Sequence, residues 1–497
     1  MNLCTTDNNC GVAFTSLVSE NEHVRHSDYQ NLNKIANTTV EELTKSNPSL
    51  LIFPQVLGAH DDGIDEQLIF NLHGNPEQLE KVTLTTGNLM GFIGIGDTHL
   101  KIASRFSKAD KHDFFMHYML QKVFSINLFD WEHQDSDGEL DLLMYAFPKL
   151  LKKALSQGLF KQYQTFYRND ANVKGVIDVS RHIRQNMPFG GKIAYNSRER
   201  TFDNDVTELI RHTIEYIKTK PLGKELLNSS NETQKCVQEI LEATQSYNLQ
   251  NREKVIAQNL KPITHPYYTA YKPLQNLCLS ILRHKKIGFG NAKNKVYGIL
   301  FDGAWLWEEY LATVLVPAGF KHPRNKTGKG AIKVYDGNPR YPDFYIGKQM
   351  LKQVQQDKTD RHSECFGTFS TSLVSESFLE ISQNAKTNFV LDAKYKHLDN
   401  HKHDSDEITG YFSRDDLHQL ITYMYIMPAK KAGLIYPYDK DARRKGTEVI
   451  KSADKTLFGY GGTIATYGVP IPVENNYEAF TNSMKSIEKS VAAISAE

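Results

Sequence analysis

Apolar and polar positions change rhythm several times along this 497-residue chain, and each change marks a different kind of element. Residues 1–60 are polar and weakly patterned. From 66 to 104, "EQLIFNLHG", "EKVTLTTGNLMGFIGIG" and "THLKIASRF" alternate apolar and polar residues between Gly and Asn breaks, which predicts a small β-rich module. Helical spacing takes over from 110 to 165, in "KHDFFMHYMLQKVFSI" and "ELDLLMYAFPKLLKKALSQGLFKQYQTF", split by the acidic loop "HQDSDGELD". "NVKGVIDVSRHI" (172–183) reads as a turn, a strand and a helix start, and further helices are expected over 204–219, 232–247 and 269–284.

The last block begins near 290. A helix is expected in "DGAWLWEEYLATVLVPAGF" (302–320), with Asp302 as N-cap and a stop before Pro317 and Gly319. A short strand, "PDFYIG" (342–347), leads into a hydrophilic, Ser/Thr-rich stretch over 348–388 that reads as an insertion. "FVLDAKYKHL" (389–398) is a strand that ends abruptly in polar residues; "RDDLHQLITYMYIM" (414–427) is a helix and "AGLIYPY" (432–438) a strand. The tail beyond 475 is helical in pattern. Internal repeats and long heptad runs are absent.

Bulk composition narrows this only slightly. A chain this long exceeds one hydrophobic core, so two to four domains are expected. The pattern divides it into an N-terminal region with the β module (1–108), a mainly helical middle and partner-docking region (109–289), an α/β block (290–450) and a C-terminal tail (451–497). Fifty-nine basic residues against 58 acidic ones leave a net charge of +1, so any surface for a polyanion must be local. Five scattered cysteines without a CxxC pair suit a reducing cytoplasm better than a disulfide frame or zinc ribbon. The start lacks the basic-then-apolar order of a signal peptide, and no apolar run approaches the ~18–20 residues of a membrane span. A cytoplasmic protein without a membrane partner is expected.

The chemistry gathers at the strand ends. Residues i and i+2 of a strand share a face, so Asp392 and Lys394 project together. If the 342–347 strand is a neighbour, Asp343 joins them; Pro342 before it favours a strand start or edge. Two carboxylates a few ångströms apart repel unless a cation lies between them, and oxygen donors select Mg²⁺, or Mn²⁺, over zinc. An adjacent lysine can orient or deprotonate a water and offset charge on a pentacoordinate phosphate. Alone, an Asp-x-Lys pair on one strand face is usually a surface ion pair worth about 0–1 kcal/mol. Glu308 strengthens the reading: Ala304, Trp305, Leu311, Ala312 and Leu315 surround it on an apolar helix stripe, where an unpaired acid is costly. Gln419 and Tyr423, i and i+4 on the helix after the lysine, share a face, though either one in isolation is more readily a satisfied core polar group.

The order of Glu308 on a helix, "PD" at 342–343, "DAK" at 392–394 and "QLITY" at 419–423 resembles the PD-(D/E)XK nuclease core. More narrowly, "LFDGAWLWEEYL", "YPDFYIG", "VLDAKYK" and "DLHQLITYMYI" resemble the McrC family, the nuclease subunit of McrBC-type and LlaJI-type restriction systems, and the likeness extends from about 65 to 440. The resemblance implies an α/β nuclease domain, a mixed central sheet flanked by helices, that cleaves double-stranded DNA with Mg²⁺. It implies Asp343, Asp392 and the Ala393 carbonyl as metal ligands, and Glu308 as an auxiliary or second-metal ligand. Lys394 would position the attacking water, while Gln419 and Tyr423 would brace the site. It also implies a hetero-oligomer with an AAA+ GTPase of McrB type, whose hydrolysis this chain stimulates. In one respect the sequence departs from the pattern: Asp343 and Asp392 are 49 positions apart, where a hairpin suffices. Either 348–388 is looped out, or an acid inside it (Glu364, Glu376 or, best, Glu380 in "SFLEIS") replaces Asp343.

Other motifs carry less. "KHPRNKTGKGAIK" offers Lys321, Arg324, Lys326, Lys329 and Lys333 without an acid, which suits phosphate binding or a solvated loop. Its "TGKG" lacks the spacing of a P-loop, and "GFIGIG" reads as a glycine-bent strand, so nucleotide hydrolysis is left to a partner. His397, His401, His403 and His418 read as loop and helix surface groups, with a zinc site the weaker alternative. Two rival functions stay open: a non-catalytic adaptor that only activates an AAA+ motor, and a stand-alone DNA repair nuclease.

Overall fold

The computed structural model describes residues 1–18, 23–47, 50–55, 64–107, 113–124, 138–220, 223–228, 230–287, 296–323, 332–333, 339–347, 388–398, 412–439, 448–459, 461–474 and 476–496. They form a mixed α/β protein of two compact units. The first comprises Met1–Leu57, Gly63–Arg105 and Leu120–Asp302; the second includes Phe106–Met119 and Gly303–Glu497.

The first unit is organised by a five-stranded mixed sheet in the order Asn2–Thr6, Thr98–Ala103, Leu89–Ile95, Val296–Asp302, Leu50–Phe53. The run "LMGFIGI" is buried on both faces, which is why it is apolar without alternation. Its glycines are a packing requirement. Gly91 has φ +135°, and a Cβ there would sit 2.2 Å from the Ile299 carbonyl of the paired strand. Residues 1–60, weakly patterned in sequence, supply two edge strands and the helices His26–Asn33 and Val40–Ser46.

The helical run expected to reach 165 ends at Leu155. Beyond Gly158 (φ +86°) the chain becomes the strand Gln162–Asp170, which pairs antiparallel with Ile193–Thr201; Val176–Ile177 pairs on the far side of the latter. The region 109–289 therefore carries a three-stranded sheet beside its helices. Asp205–Lys218, Asn231–Ala243 and Tyr271–Ile287 match the expected helices.

The second unit is built on a six-stranded sheet: Phe344–Ile346, Asn388–Ala393, Ala429–Tyr438, Thr463–Pro470 and Ile450–Lys451 in order, with Lys455–Thr456 also on Thr463–Pro470. Asn388–Ala393, Ala429–Tyr438 and Thr463–Pro470 run parallel; Phe344–Ile346 is antiparallel to its neighbour. Helix Arg414–Ile426 connects the first parallel pair and buries Leu420, Tyr423 and Met424 against Val390, Leu434 and Tyr436. Trp307 and Tyr310, on helix Gly303–Leu315, join Phe115, Tyr118 and Phe480 in an aromatic cluster. The residues set apart in sequence as a tail supply an interior strand and the helix Tyr477–Ala493.

Candidate active site

The strand Asn388–Ala393 ends where the expected cluster forms. Lys394 N–H donates to the Ile435 carbonyl (2.9 Å), so the backbone stays on the ladder past Ala393, and Asp392 and Lys394 keep a common face. Lys394 Nζ lies 2.7 Å from Asp392 Oδ2 as an ion pair, without the alignment of a good hydrogen bond. Asp392 is 1% exposed.

Asp343 arrives from the antiparallel side. Phe344 pairs with Leu391, so the residue before it falls opposite Asp392, and Ala393 N–H donates to Asp343 Oδ2 at 2.7 Å. The two acids separated by 49 positions are thus neighbours. Glu364, Glu376 and Glu380, the substitutes for Asp343, lie outside the described residues, as does 348–387 of the expected insertion. Burial, then the charges of Glu308 and Asp392, push the Asp343 carboxyl well above the usual range, against the pull of Lys394 and the Ala393 N–H. Burial also raises Asp392, with Lys394 opposing. Burial works to lower the Lys394 ammonium, but Asp392, Asp343 and Asp416 outweigh it and raise it, so the amine is charged at neutral pH.

Gln419 and Tyr423 form one chain of hydrogen bonds with this group. Lys394 Nζ donates to Gln419 Oε1 (2.9 Å), and Gln419 Nε2 donates to Asp392 Oδ1 (3.2 Å) and to Tyr423 Oη (3.0 Å). Tyr423 in turn donates to the Tyr341 carbonyl (2.9 Å). Each atom of the Gln419 amide has a partner, which fixes its orientation.

Five contributors went unread in the sequence. Lys321 pairs its backbone with Tyr345, which brings His322 beside Asp343: Nδ1 is 2.9 Å from the Asp343 carbonyl and 3.8 Å from Glu308 Oε1, and Nε2 is 3.9 Å from Glu309 Oε1. The ring stacks on Phe344 at 4.9 Å. Asp416, on the first turn of its helix with Ser413, meets Lys396 at 2.5 Å and Lys394 at 3.8 Å, and those contacts hold its carboxyl below the usual range despite burial. Tyr341 offers only its carbonyl. Lys396 continues the i, i+2 register of Asp392 and Lys394, and Ser413 before Asp416 has the spacing of a helix cap; both signals were legible. His322 reaches the site only through the long-range pairing of Lys321 with Tyr345, which no local pattern signals.

Glu308 is 8% exposed on the inner side of its helix, as its apolar neighbours imply. Among the described residues no three His, Cys, Asp or Glu side chains already surround a single point as metal ligands would. Lys321 Nζ reaches the Gly347 carbonyl at 3.5 Å and lies 5.7 Å from the Tyr345 ring centre. Arg324, Lys326 and Lys329 fall outside the described residues, and of Lys333 only the backbone, in strand Ile332–Lys333, is described. His401 and His403 are likewise outside; His397 meets Asp439 at 3.3 Å and His418 is exposed. No described helix is long and apolar enough to cross a membrane.

The chain is similar to a half-complex of McrB AAA+ hexamers with bound McrC from Thermococcus gammatolerans, at 14% identity over 99% of this chain and 100% of that one, with a TM-score of 0.47. It is similar to the Thermococcus gammatolerans McrBC complex at 13% identity over 64% and 88% of the two chains, with a TM-score of 0.31. No curated protein matches it. The model of the McrBC 5-methylcytosine restriction system component family matches residues 84–437, well over half the sequence and all of the residues just described between Tyr118 and Tyr423. The chain belongs to the McrBC family of restriction system components, as its McrC-like motifs suggested.

Proposed function

We propose that this chain is the endonuclease subunit of its restriction system, with a PD-(D/E)XK site that hydrolyses DNA phosphodiesters with Mg²⁺. The observation that carries the reading is the convergence of Asp343, Asp392 and Lys394 at one strand end, bound together by the Ala393 N–H and by Gln419. The donor set suits a hard divalent cation: carboxylates and a backbone carbonyl, no thiolate, and two adjacent acids whose ionised forms burial disfavours without a counterion. Asp343, Asp392 and the Ala393 carbonyl would hold the ion, with Glu308 as an auxiliary ligand. When bound, Mg²⁺ supplies Lewis-acid stabilisation of the phosphoryl charge.

The remaining work falls to the protein. Lys394, kept charged by three carboxylates, acts as a donor that orients the attacking water and faces the developing negative charge, rather than as a base. Gln419 sets the direction of that ammonium, and Tyr423, tied to the Tyr341 carbonyl, sets the direction of Gln419. Asp416 and Lys396 offer a second anchor beyond the amine.

As one component of a system, the chain acts with a partner, which we read as an AAA+ GTPase docking on the 109–289 region. Exposed apolar residues there, Val176, Val179, Ile183, Met187 and Phe189, support that reading. The test pairs two readouts on one variant. With the partner, GTP and Mg²⁺ present, Asp392→Ala is expected to lose DNA cleavage by about 100-fold or more while still stimulating GTP hydrolysis. Normal cleavage by that variant would make the chain an adaptor, and cleavage by the wild-type chain without partner or GTP would make it a stand-alone nuclease.

A further inference from the structure

Asp343 stands just outside the strand it precedes. The ladder with Asn388–Ala393 begins at Phe344, and residue 342 is a proline with no N–H to give. Asp343 is instead held at both of its ends. Its Oδ2 accepts from the Ala393 N–H at 2.7 Å, and its main-chain carbonyl lies 2.9 Å from His322 Nδ1. A carbonyl can only accept, so Nδ1 carries the proton whichever charge the ring holds. The same nitrogen lies 3.8 Å from Glu308 Oε1. One N–H therefore faces two of the acids that converge on the candidate cation site.

The ring is itself held in place. Lys321 before it exchanges both backbone hydrogen bonds with Tyr345 (2.8 and 3.0 Å), and the imidazole stacks on Phe344 with the two planes 23° apart. The His322 side chain is only 6% exposed, so water has little access to its nitrogens. Helix Gly303–Leu315 closes the other side with Glu308 and with Glu309, 3.9 Å from Nε2. Packing alone would be served by a phenyl ring, which stacks on Phe344 as well. The imidazole differs from it in its nitrogens, and these lie against Asp343 and the two glutamates.

We infer that His322 is a positioning residue of the cation site: through Nδ1 it fixes the Asp343 main chain and keeps Glu308 on the same side, so that metal affinity depends on a ring that need not touch the metal. The inference rests on the reading of Asp343 and Asp392 as cation ligands. A carboxylate whose backbone can shift is a poor ligand for Mg²⁺, which demands near-ideal octahedral geometry. Partners that orient metal ligands typically contribute about 10–100-fold in affinity or activity.

The test is calorimetric titration of the full chain with Mn²⁺, comparing the wild type with His322→Phe and His322→Asn. The first variant keeps a stacking ring and removes both nitrogens; the second gives up the ring but offers an amide N–H in place of Nδ1. His322→Phe is expected to weaken Mn²⁺ binding about tenfold or more, and His322→Asn to stay within about threefold of the wild type. Cleavage with the partner, GTP and Mg²⁺ gives a second readout. There His322→Phe is expected to lower the rate at saturating DNA, to leave the half-saturating DNA concentration unchanged, and to recover as Mg²⁺ is raised. Melting curves in EDTA, expected to stay cooperative for both variants, separate positioning from packing. Wild-type affinity in His322→Phe, equal loss in both variants, or a loss accompanied by disappearance of the cooperative transition would each overturn the inference and leave Asp343 and Asp392 as ligands. A wild-type chain that binds no Mn²⁺ overturns the cation reading as well. The expected binding pattern in a chain that never cleaves DNA upholds the inference and sinks only the nuclease reading.

Discussion

Burial, then the charges of Glu308 and Asp392, penalise the ionised form of Asp343 and raise its proton affinity above that of an ordinary aspartate. Its folded proton affinity exceeds its unfolded one, so below the unfolded value both states are protonated and the residue is neutral to stability. Above it the unfolded chain releases a proton that the folded chain retains, and stability falls as pH rises. In metal-free buffer, Asp343→Asn is therefore expected to raise the melting temperature at pH 8 and to leave it unchanged near pH 3. A variant no more stable than the wild type at pH 8 would mean that the carboxyl is not strained there. At this scale the sequence was informative: Asp343, Asp392, Lys394, Gln419 and Tyr423, chosen from register and helix spacing, all meet. His322 was illegible because only the pairing of Lys321 with Tyr345, a long-range bridge, brings it to the site.

Among the elements, the helix Asp205–Lys218 carries a buried titratable group unconnected with the chemistry. His212 is 1% exposed, neither ring nitrogen has a hydrogen-bond partner, and burial followed by Arg252 and Arg211 lowers its pKa to about 4. Between the ordinary value and about 4 the unfolded chain binds the proton and the folded chain does not, so stability falls as pH drops through that window. The loss is on the order of 2–3 kcal/mol, and His212→Leu is expected to flatten the pH dependence of urea unfolding between pH 7 and 4. An unchanged slope would show that the ring is protonated where it lies. The helices of this region were readable because each buries one stripe; the Gln162–Asp170 strand was not, because both of its faces keep polar residues in water and apolar alternation is weak. Gly158, which breaks the helical run, was the signal available.

For the whole molecule, the extent of the second unit matters most. Thr463–Pro470 lies inside its sheet between two strands, and Phe480, Met484, Ile487 and Val491 of the last helix are at most 2% exposed. Burying four such side chains contributes about 6–12 kcal/mol, comparable with the entire stability of an ordinary domain. A chain ending at residue 448 is therefore expected to lose the cooperative unfolding transition of the second unit in calorimetry; a retained transition would make the last 49 residues dispensable. The sequence hid this because strand Thr463–Pro470, "TIATYGVP", is short and glycine-interrupted, and its burial comes from neighbours far away in the chain. The central claim, that Asp343 and Asp392 together hold the cation on which DNA cleavage depends, is tested most directly by titrating the full chain with Mn²⁺ in a calorimeter. Saturable binding that Asp343→Ala and Asp392→Ala each abolish is the expected result, whereas wild-type binding isotherms from both variants would place the cation elsewhere.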